Sequence, residues 1–216
     1  MQKISVPVAK EGIPFLGMSA LATVVLAVLQ LKAAALLCLV LTGFILYFFR
    51  DPSRIIPTEA DLITSPADGK VIEIAKTQEP YFSGESTIRV SIFMNVFNCH
   101  VNRAPVHGRV IDIKYRPGRF MSANQNRAMA ENEQAAMLLE DMQGRKVTVV
   151  QVAGLIARRI VCWAEPGDYL LRGQRYGLIR FGSRLDVYLP ESTTLTVDTG
   201  QKVVAGQSVL GKMESA

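Results

Sequence analysis

The stretch R-Y-G-L-I-R-F-G-S-R-L-D-V-Y-L-P, residues 175–190, decides how the chain folds. Ile179, Phe181, Leu185, Val187 and Leu189 alternate with polar or small residues, the period of a half-buried β-strand. Gly182-Ser183 interrupts that strand. Glycine packs poorly in a strand and marks a bulge or a close backbone approach, so the pair has either a structural or a chemical reason to be there. Similar short β-like runs fill the chain from residue 65 onward: 70–74, 87–93, 109–115, 146–152, 158–163, 178–189 and 203–212. Turn signals separate them, among them P-A-D-G (66–69), F-S-G-E (82–85), P-G-D (166–168) and T-G-Q (199–201). One segment differs. Residues 122–142 are rich in helix formers and poor in β-branched residues, which predicts a helical insertion there.

The expected fold is therefore mainly β (α+β), a barrel-sandwich-like domain with one helical insertion. Two stretches, S-P-A-D-G-K-V-I-E-I (65–74) and T-G-Q-K-V-V-A-G-Q-S-V-L-G-K-M (199–213), look related to each other. Their glycine and valine spacing resembles the hairpins of biotinyl and lipoyl domains. The modified-lysine turn of those carriers is missing, which argues against a carrier.

The 216 residues divide sharply by composition. Residues 13–49 are almost unbroken apolar, divided by Gln30 and Lys32 into two stretches near the short end of membrane-spanning length. A removable signal peptide fits poorly, because the apolar region is too long and has a second segment. Either a tight helical hairpin or one longer helix fits. The hairpin puts Lys3, Lys10, Arg50 and Arg54 on one side, which the positive-inside rule assigns to the cytoplasm. This divides the chain into a membrane-associated segment (1–50), a proline-marked linker (51–64) and a β-rich domain (65–216). The expected location is the cell (inner) membrane, with the β-rich domain facing the cytoplasm.

A net charge of +5 suits an anionic partner such as an acidic lipid surface. No interleaved aromatic-basic motif points to nucleic acid. The three cysteines, Cys38, Cys99 and Cys162, show no metal or redox spacing, and two histidines cannot make a His-rich metal site. Acid–base chemistry by histidine must fall to His100 or His107. With Asp68 and Ser183 they make a Ser/His/Asp grouping compatible with nucleophilic catalysis. Each member also has a plain structural reading, as a turn or strand-end residue, and the residues alone leave the choice open.

The sequence G-Q-R-Y-G-L-I-R-F-G-S-R-L-D-V-Y-L-P resembles the self-cleavage segment of phosphatidylserine decarboxylases, in the short archaeal-type branch of that pyruvoyl-dependent family. The likeness continues through F-F-R-D-P (48–52), S-P-A-D-G-K-V (65–71), N-V-F-N-C-H-V-N-R-A-P-V-x-G (95–108), Y-R-P-G-x-F (115–120), E-N-E-Q (131–134) and Q-V-A-G-x-I-A-R-R-I-V (151–161). The resemblance implies a carboxy-lyase that converts phosphatidylserine to phosphatidylethanolamine and carbon dioxide. It implies that Ser183 Oγ attacks the Gly182 carbonyl, turning the amide into an ester. β-Elimination then leaves a β chain of 1–182 and dehydroalanine at 183, whose hydrolysis releases ammonia and yields a pyruvoyl group. That covalent cofactor would form a Schiff base with the substrate amine and act as an electron sink.

The expected assembly is a heterodimer of the chain's own β and α (183–216) pieces, with a higher oligomer left open. The carried-over positions are Asp68 and His100. At the family's second histidine stands Arg103, so His107 or His100 itself must cover that role, and the family's N-E-R reads Asn132-Glu133-Gln134. Arg116, Arg119, Arg158 and Arg159 are candidates for the lipid head group, since guanidinium pairs well with phosphate and carboxylate. The rival expectation is a membrane-anchored barrel-sandwich adaptor or carrier in which Gly182-Ser183 only shapes a bulge.

Overall fold

A computed structural model describes residues 7–119, 131–154, 159–180 and 183–214, in two compact units, 1–53 and 54–216. The first unit is a helical hairpin. A short 3-10 turn, Lys10–Gly12, leads into α1 (Ile13–Val28), and α2 (Lys32–Phe48) returns. Gln30 makes the reversal in the left-handed region, at φ 59°. Pro14 sits in the first turn of α1, where its missing N–H costs nothing. The Thr23 and Thr42 hydroxyls meet across the pair at 3.4 Å, and Phe15 stacks on Phe49 at 5.7 Å where the hairpin closes. The expected alternative of one continuous helix is not what forms. Lys10–Val28 has a mean hydropathy of 1.7 and is 6% buried, long and apolar enough to cross a membrane. Lys32–Phe48 is a shorter apolar helix.

The second unit is built from short strands: β1 (Leu62–Thr64), β2 (Gly69–Gln78), β3 (Ser86–Met94), β4 (Val101–Arg103), β5 (Gly108–Arg116), β6 (Gln134–Glu140) and β7 (Lys146–Ala153). There follow β8 (Ile160–Cys162), β9 (Tyr169–Leu170), β10 (Arg175–Ile179), β11 (Ser183–Pro190), β12 (Thr194–Leu195), β13 (Lys202–Val203) and β14 (Val209–Lys212). Eight of them form one curled sheet in the order β13-β2-β3-β11-β7-β6-β5-β9, antiparallel throughout. Two three-stranded sheets, β4-β10-β8 and β1-β14-β12, complete the unit. The main core holds Val90, Ile92, Met94, Met137, Val149, Leu185, Val187 and Leu189 from one face of the large sheet, with Tyr176 and Ile179 from β10.

The mainly β architecture agrees with the sequence reading, with two differences. Residues 134–140 are not helix but strand β6, paired to β5 and β7. Gln134 to Leu139 are all buried, so the two sheet neighbours override the helix propensity of A-A-M-L-L. Residues 122–130 of the expected helix lie outside the described residues. The run 178–189 is also not one strand. Its two halves, β10 and β11, belong to different sheets. The two related stretches do pack together: Lys70 pairs with Lys202 and Gly69 with Val203.

Strand β11 is buried on both faces rather than half-buried. Its second face carries Arg184, Asp186 and Tyr188. Arg184, 0% exposed, donates to Asp186 Oδ1 at 2.6 Å and to Ser91 Oγ at 2.7 Å, and lies 3.5 Å from Glu73. Polar alternation thus marks a buried ion pair, not a solvated face.

Candidate functional site

Ser183 opens β11, the strand between β3 and β7, where it pairs with Met94 and Ala153. Its side chain is 0% exposed and shares the core face with theirs, since Leu185 and Val187 point to the same core. Its Oγ has no hydrogen-bond partner among the described residues. A buried, unsatisfied hydroxyl costs free energy in a fold that otherwise pairs its polar atoms. Immediately upstream, β10 ends at Ile179 in the small sheet, so the chain changes sheets between Ile179 and Ser183. Gly182, the other half of the expected cleavage pair, lies outside the described residues.

That small sheet sets His100 over the same region. Val101 pairs with Leu178, and Ile179 N–H donates to the His100 carbonyl at 3.3 Å. Asn102, two residues on, contacts Met94 Sδ at 3.7 Å and accepts from Gln151 Nε2 at 2.9 Å. Alternate residues of an extended segment project to one side, so His100 leaves β4 toward the same layer as Asn102. Met94 is the direct cross-strand neighbour of Ser183, and this brings His100 and Ser183 to one end of the core. His100 is 0% exposed, with Nδ1 2.9 Å from the Asn98 carbonyl, a contact that favours the Nδ1–H tautomer and leaves Nε2 as the basic nitrogen.

Asp68 lies at the same end of the large sheet, just before β2. Its carboxylate accepts from Arg54 at 2.8 Å and from Ala205 N–H at 2.8 Å, and from neither histidine. It ties the 65–69 turn to the C-terminal hairpin. Arg103 points the other way from Asn102, and its guanidinium donates to the Gly173 carbonyl at 3.0 Å.

His107 is not brought to this end. It is exposed and precedes Gly108, where β5 lies against the Glu140 end of β6. The six residue steps of β6 separate the two ends by roughly 20 Å. There His107 Nδ1 accepts from Arg172 N–H at 3.3 Å, and partial desolvation of the ring, then the Arg172 charge, pulls its pKa below the usual imidazole value.

The arginines sort by face. Arg159 is exposed, its carbonyl accepts from Arg180 N–H at 3.4 Å, and it stands beside Tyr115 and Glu133. Arg116 pairs with Gln134 on the opposite face of the sheet, near Tyr81. Burial pushes the Tyr81 phenol up to about 12, and its hydroxyl donates to Gln134 Oε1. Arg119 is highly exposed and pairs with Glu131 at 3.4 Å. Arg158 lies outside the described residues. Among the described residues, no group of three or more His, Cys, Asp and Glu could hold a metal.

The chain matches the family model described as phosphatidylserine decarboxylase over residues 41–211. It belongs to the phosphatidylserine decarboxylase family. A phosphatidylserine decarboxylase proenzyme of Geotalea uraniireducens is 52% identical over 211 residues, covering 98% of this chain and 99% of that one. The proenzyme of Desulfotalea psychrophila is 50% identical over 213 residues, covering 99% and 100%. That of Geobacter metallireducens is 50% identical over 216 residues, covering 98% and 99%.

Residues of this family member to which sequence reasoning assigned no role also meet at the site. Asn132 Nδ2 donates to the Ala153 carbonyl at 2.7 Å, and Ala153 N–H donates to the Glu133 carbonyl at 3.0 Å. Gln151 and Asn102 bridge the two sheets beside Met94. The blocks E-N-E-Q, Q-V-A-G and N-C-H-V-N-R carried that signal without disclosing what each residue touches.

Proposed function

We propose that this chain is a self-processing decarboxylase of phosphatidylserine, cut between Gly182 and Ser183 and working at an anionic membrane surface. The observation that carries the reading is the buried Ser183 hydroxyl, without a hydrogen-bond partner among the described residues, where the chain leaves one sheet for another and the His100 carbonyl bonds the end of β10. Ser183 Oγ adds to the Gly182 carbonyl carbon and the amide becomes an ester. A base then removes the Cα proton of residue 183 and the Cβ–O bond breaks, freeing the β chain. His100, with Nε2 as its basic nitrogen, is the residue assigned to take the serine proton. Asp68 contributes by fixing its turn beside the site rather than by orienting a histidine.

Hydrolysis of the new N-terminus leaves the pyruvoyl group, a ketone that accepts the substrate amine and draws off the electron pair released with carbon dioxide. A hydroxyl that is buried and unpaired fits a residue consumed in making that group. His100 is also the residue assigned to return a proton to the product carbon. Arg159 is the exposed guanidinium best sited for the substrate's oxyanions, with Arg119 and Arg158 as further candidates. The apolar N-terminal hairpin supports inner-membrane attachment, where a diacyl substrate resides, with the catalytic unit on the cytoplasmic side.

Intact mass and denaturing electrophoresis of the purified protein test the reading. Two chains split after residue 182 are expected, the smaller lacking the mass of an amine. Ser183→Ala should stay whole and inactive; an unbroken wild-type chain that decarboxylates phosphatidylserine would overturn it.

A further inference from the structure

Glu133 sits in line with the reactive residue. Ser183 pairs with Ala153, and Ala153 N–H bonds the carbonyl of Glu133, the residue just before β6, so the three lie in one row across the end of the large sheet. Two inter-strand spacings put the Glu133 backbone roughly 9.5 Å from that of Ser183. The residue between them is alanine, which leaves the row low. Glu133 has the orientation of Ala135 and Ala153, toward the core face, and its carboxylate accepts from Ile160 N–H of the small sheet at 3.4 Å. It therefore lies in the same layer as Ser183 and the segment of His100. Tyr115 hydrogen-bonds the same carboxylate, and Arg159 stands beside the pair. Glu133 is 8% exposed. A carboxylate this buried requires compensating partners, and those found among the described residues, a backbone N–H and a phenol, are neutral.

The substrate of the proposed reaction has one cationic group, the serine ammonium, flanked by a carboxylate and a phosphodiester. We infer that Glu133 is the carboxylate that receives this ammonium and holds the substrate nitrogen over residue 183, with Arg159 beside it for the head group's oxyanions. The inference rests on the reading of Ser183 as the reactive centre. Glutamate side chain and bound amine together span the distance over Ala153. The paired charges set the amine, rather than the glycerol side of the head group, toward the reacting carbon. Glu133 is then a specificity determinant: it separates serine from head groups that lack an amine.

Self-cleaved protein treated with borohydride carries an alcohol in place of the ketone, so binding is read without turnover. Calorimetry would compare short-chain phosphatidylserine with an analogue in which 3-hydroxypropionate replaces serine, lacking only the ammonium. Wild type should prefer the serine lipid at least tenfold, and Glu133→Gln should abolish that preference while binding the analogue within twofold of wild type. A preference retained in Glu133→Gln, or an equal loss for both lipids, overturns the inference. If Glu133→Gln does not self-cleave, Glu133→Asp takes its place. Its shorter reach should cut the preference severalfold, and an unchanged preference overturns the inference. Failure of the Ser183 reading registers separately, as an uncut wild-type chain by intact mass.

Discussion

Replacing Arg184 with methionine removes one member of an ion pair sealed in the sheet directly behind Ser183. Arg184 is 0% and Asp186 1% exposed, 2.6 Å apart, and the same guanidinium also serves Ser91 Oγ at 2.7 Å. Arg184→Met leaves the Asp186 carboxylate buried without its cation, which costs about 3–5 kcal/mol for a buried pair broken on one side. Arg89, 2.8 Å from Glu73, is too committed to its own partner to replace it fully. With a urea m-value of about 2 kcal/mol/M, the unfolding midpoint should fall by roughly 1.5–2.5 M. The measurement belongs in the Ser183→Ala background, in detergent, so that a single uncut chain is compared throughout. Arg184→Met/Asp186→Leu should recover most of the loss, because a well-packed apolar pair is often neutral or better than a buried ion pair. A single-mutant loss below about 1 kcal/mol, or a double mutant no better than the single, would refute the argument.

His107→Ala should leave self-cleavage at the wild-type rate, because His107 lies at the far end of the strands; cleavage slowed tenfold or more by gel densitometry would contradict its position. His107 also has a depressed pKa, so the folded state binds fewer protons there than the unfolded chain. Its contribution to stability is present above the unfolded value of about 6.5 and lost as pH falls from there through the folded value. His107→Ala should therefore flatten that part of the stability profile, read from melting temperatures between pH 7 and pH 5. Gly69→Ala places a Cβ 2.3 Å from the Phe93 carbonyl oxygen, two strands from Ser183. Overpacking against backbone should cost about 1–3 kcal/mol and slow self-cleavage; thermal melts matching wild type would count against the close approach.

Strands β3, β5 and β7 were legible because β-branched residues alternate between plain turn signals. Strand β6 was not. Its alanines, methionine and leucines favour helix locally, and only burial between β5 and β7 makes it a strand. Arg184 and Asp186 read as a solvated face because sequence cannot show that each is the other's partner. The two histidines pose the same difficulty. Both flank short β runs, and only the register of β5 against β6 assigns His107 to one end of the sheet while the β4–β10 pairing assigns His100 to the other. The E-N-E-Q block stood out as a motif, yet the contact of Glu133 with Ala153 and Ile160 depends on two sheets meeting.

The proposed break before Ser183 fits this division into sheets. A cut inside a strand would leave a frayed end competing for its ladder. Here the upstream side ends with β10, which keeps its bonds to β4 and β8, while β11 keeps its bonds to β3 and β7 along eight and six paired residues. The ladder pairs of β10 end at Ile179 and those of β11 begin at Ser183, so separating 182 from 183 forfeits none of that pairing. The new N-terminus would remain in a strand flanked on both sides, with Arg184 fastening it one residue from the end through Asp186 and Ser91. Cleavage there would therefore leave the described pairing on either side in place. That is the requirement for a residue that must first destroy its own peptide bond and then hold still for a substrate. Ser183 thus begins the ladder of β11 rather than interrupting it, and a cut before it would open the chain while both sheets stay closed.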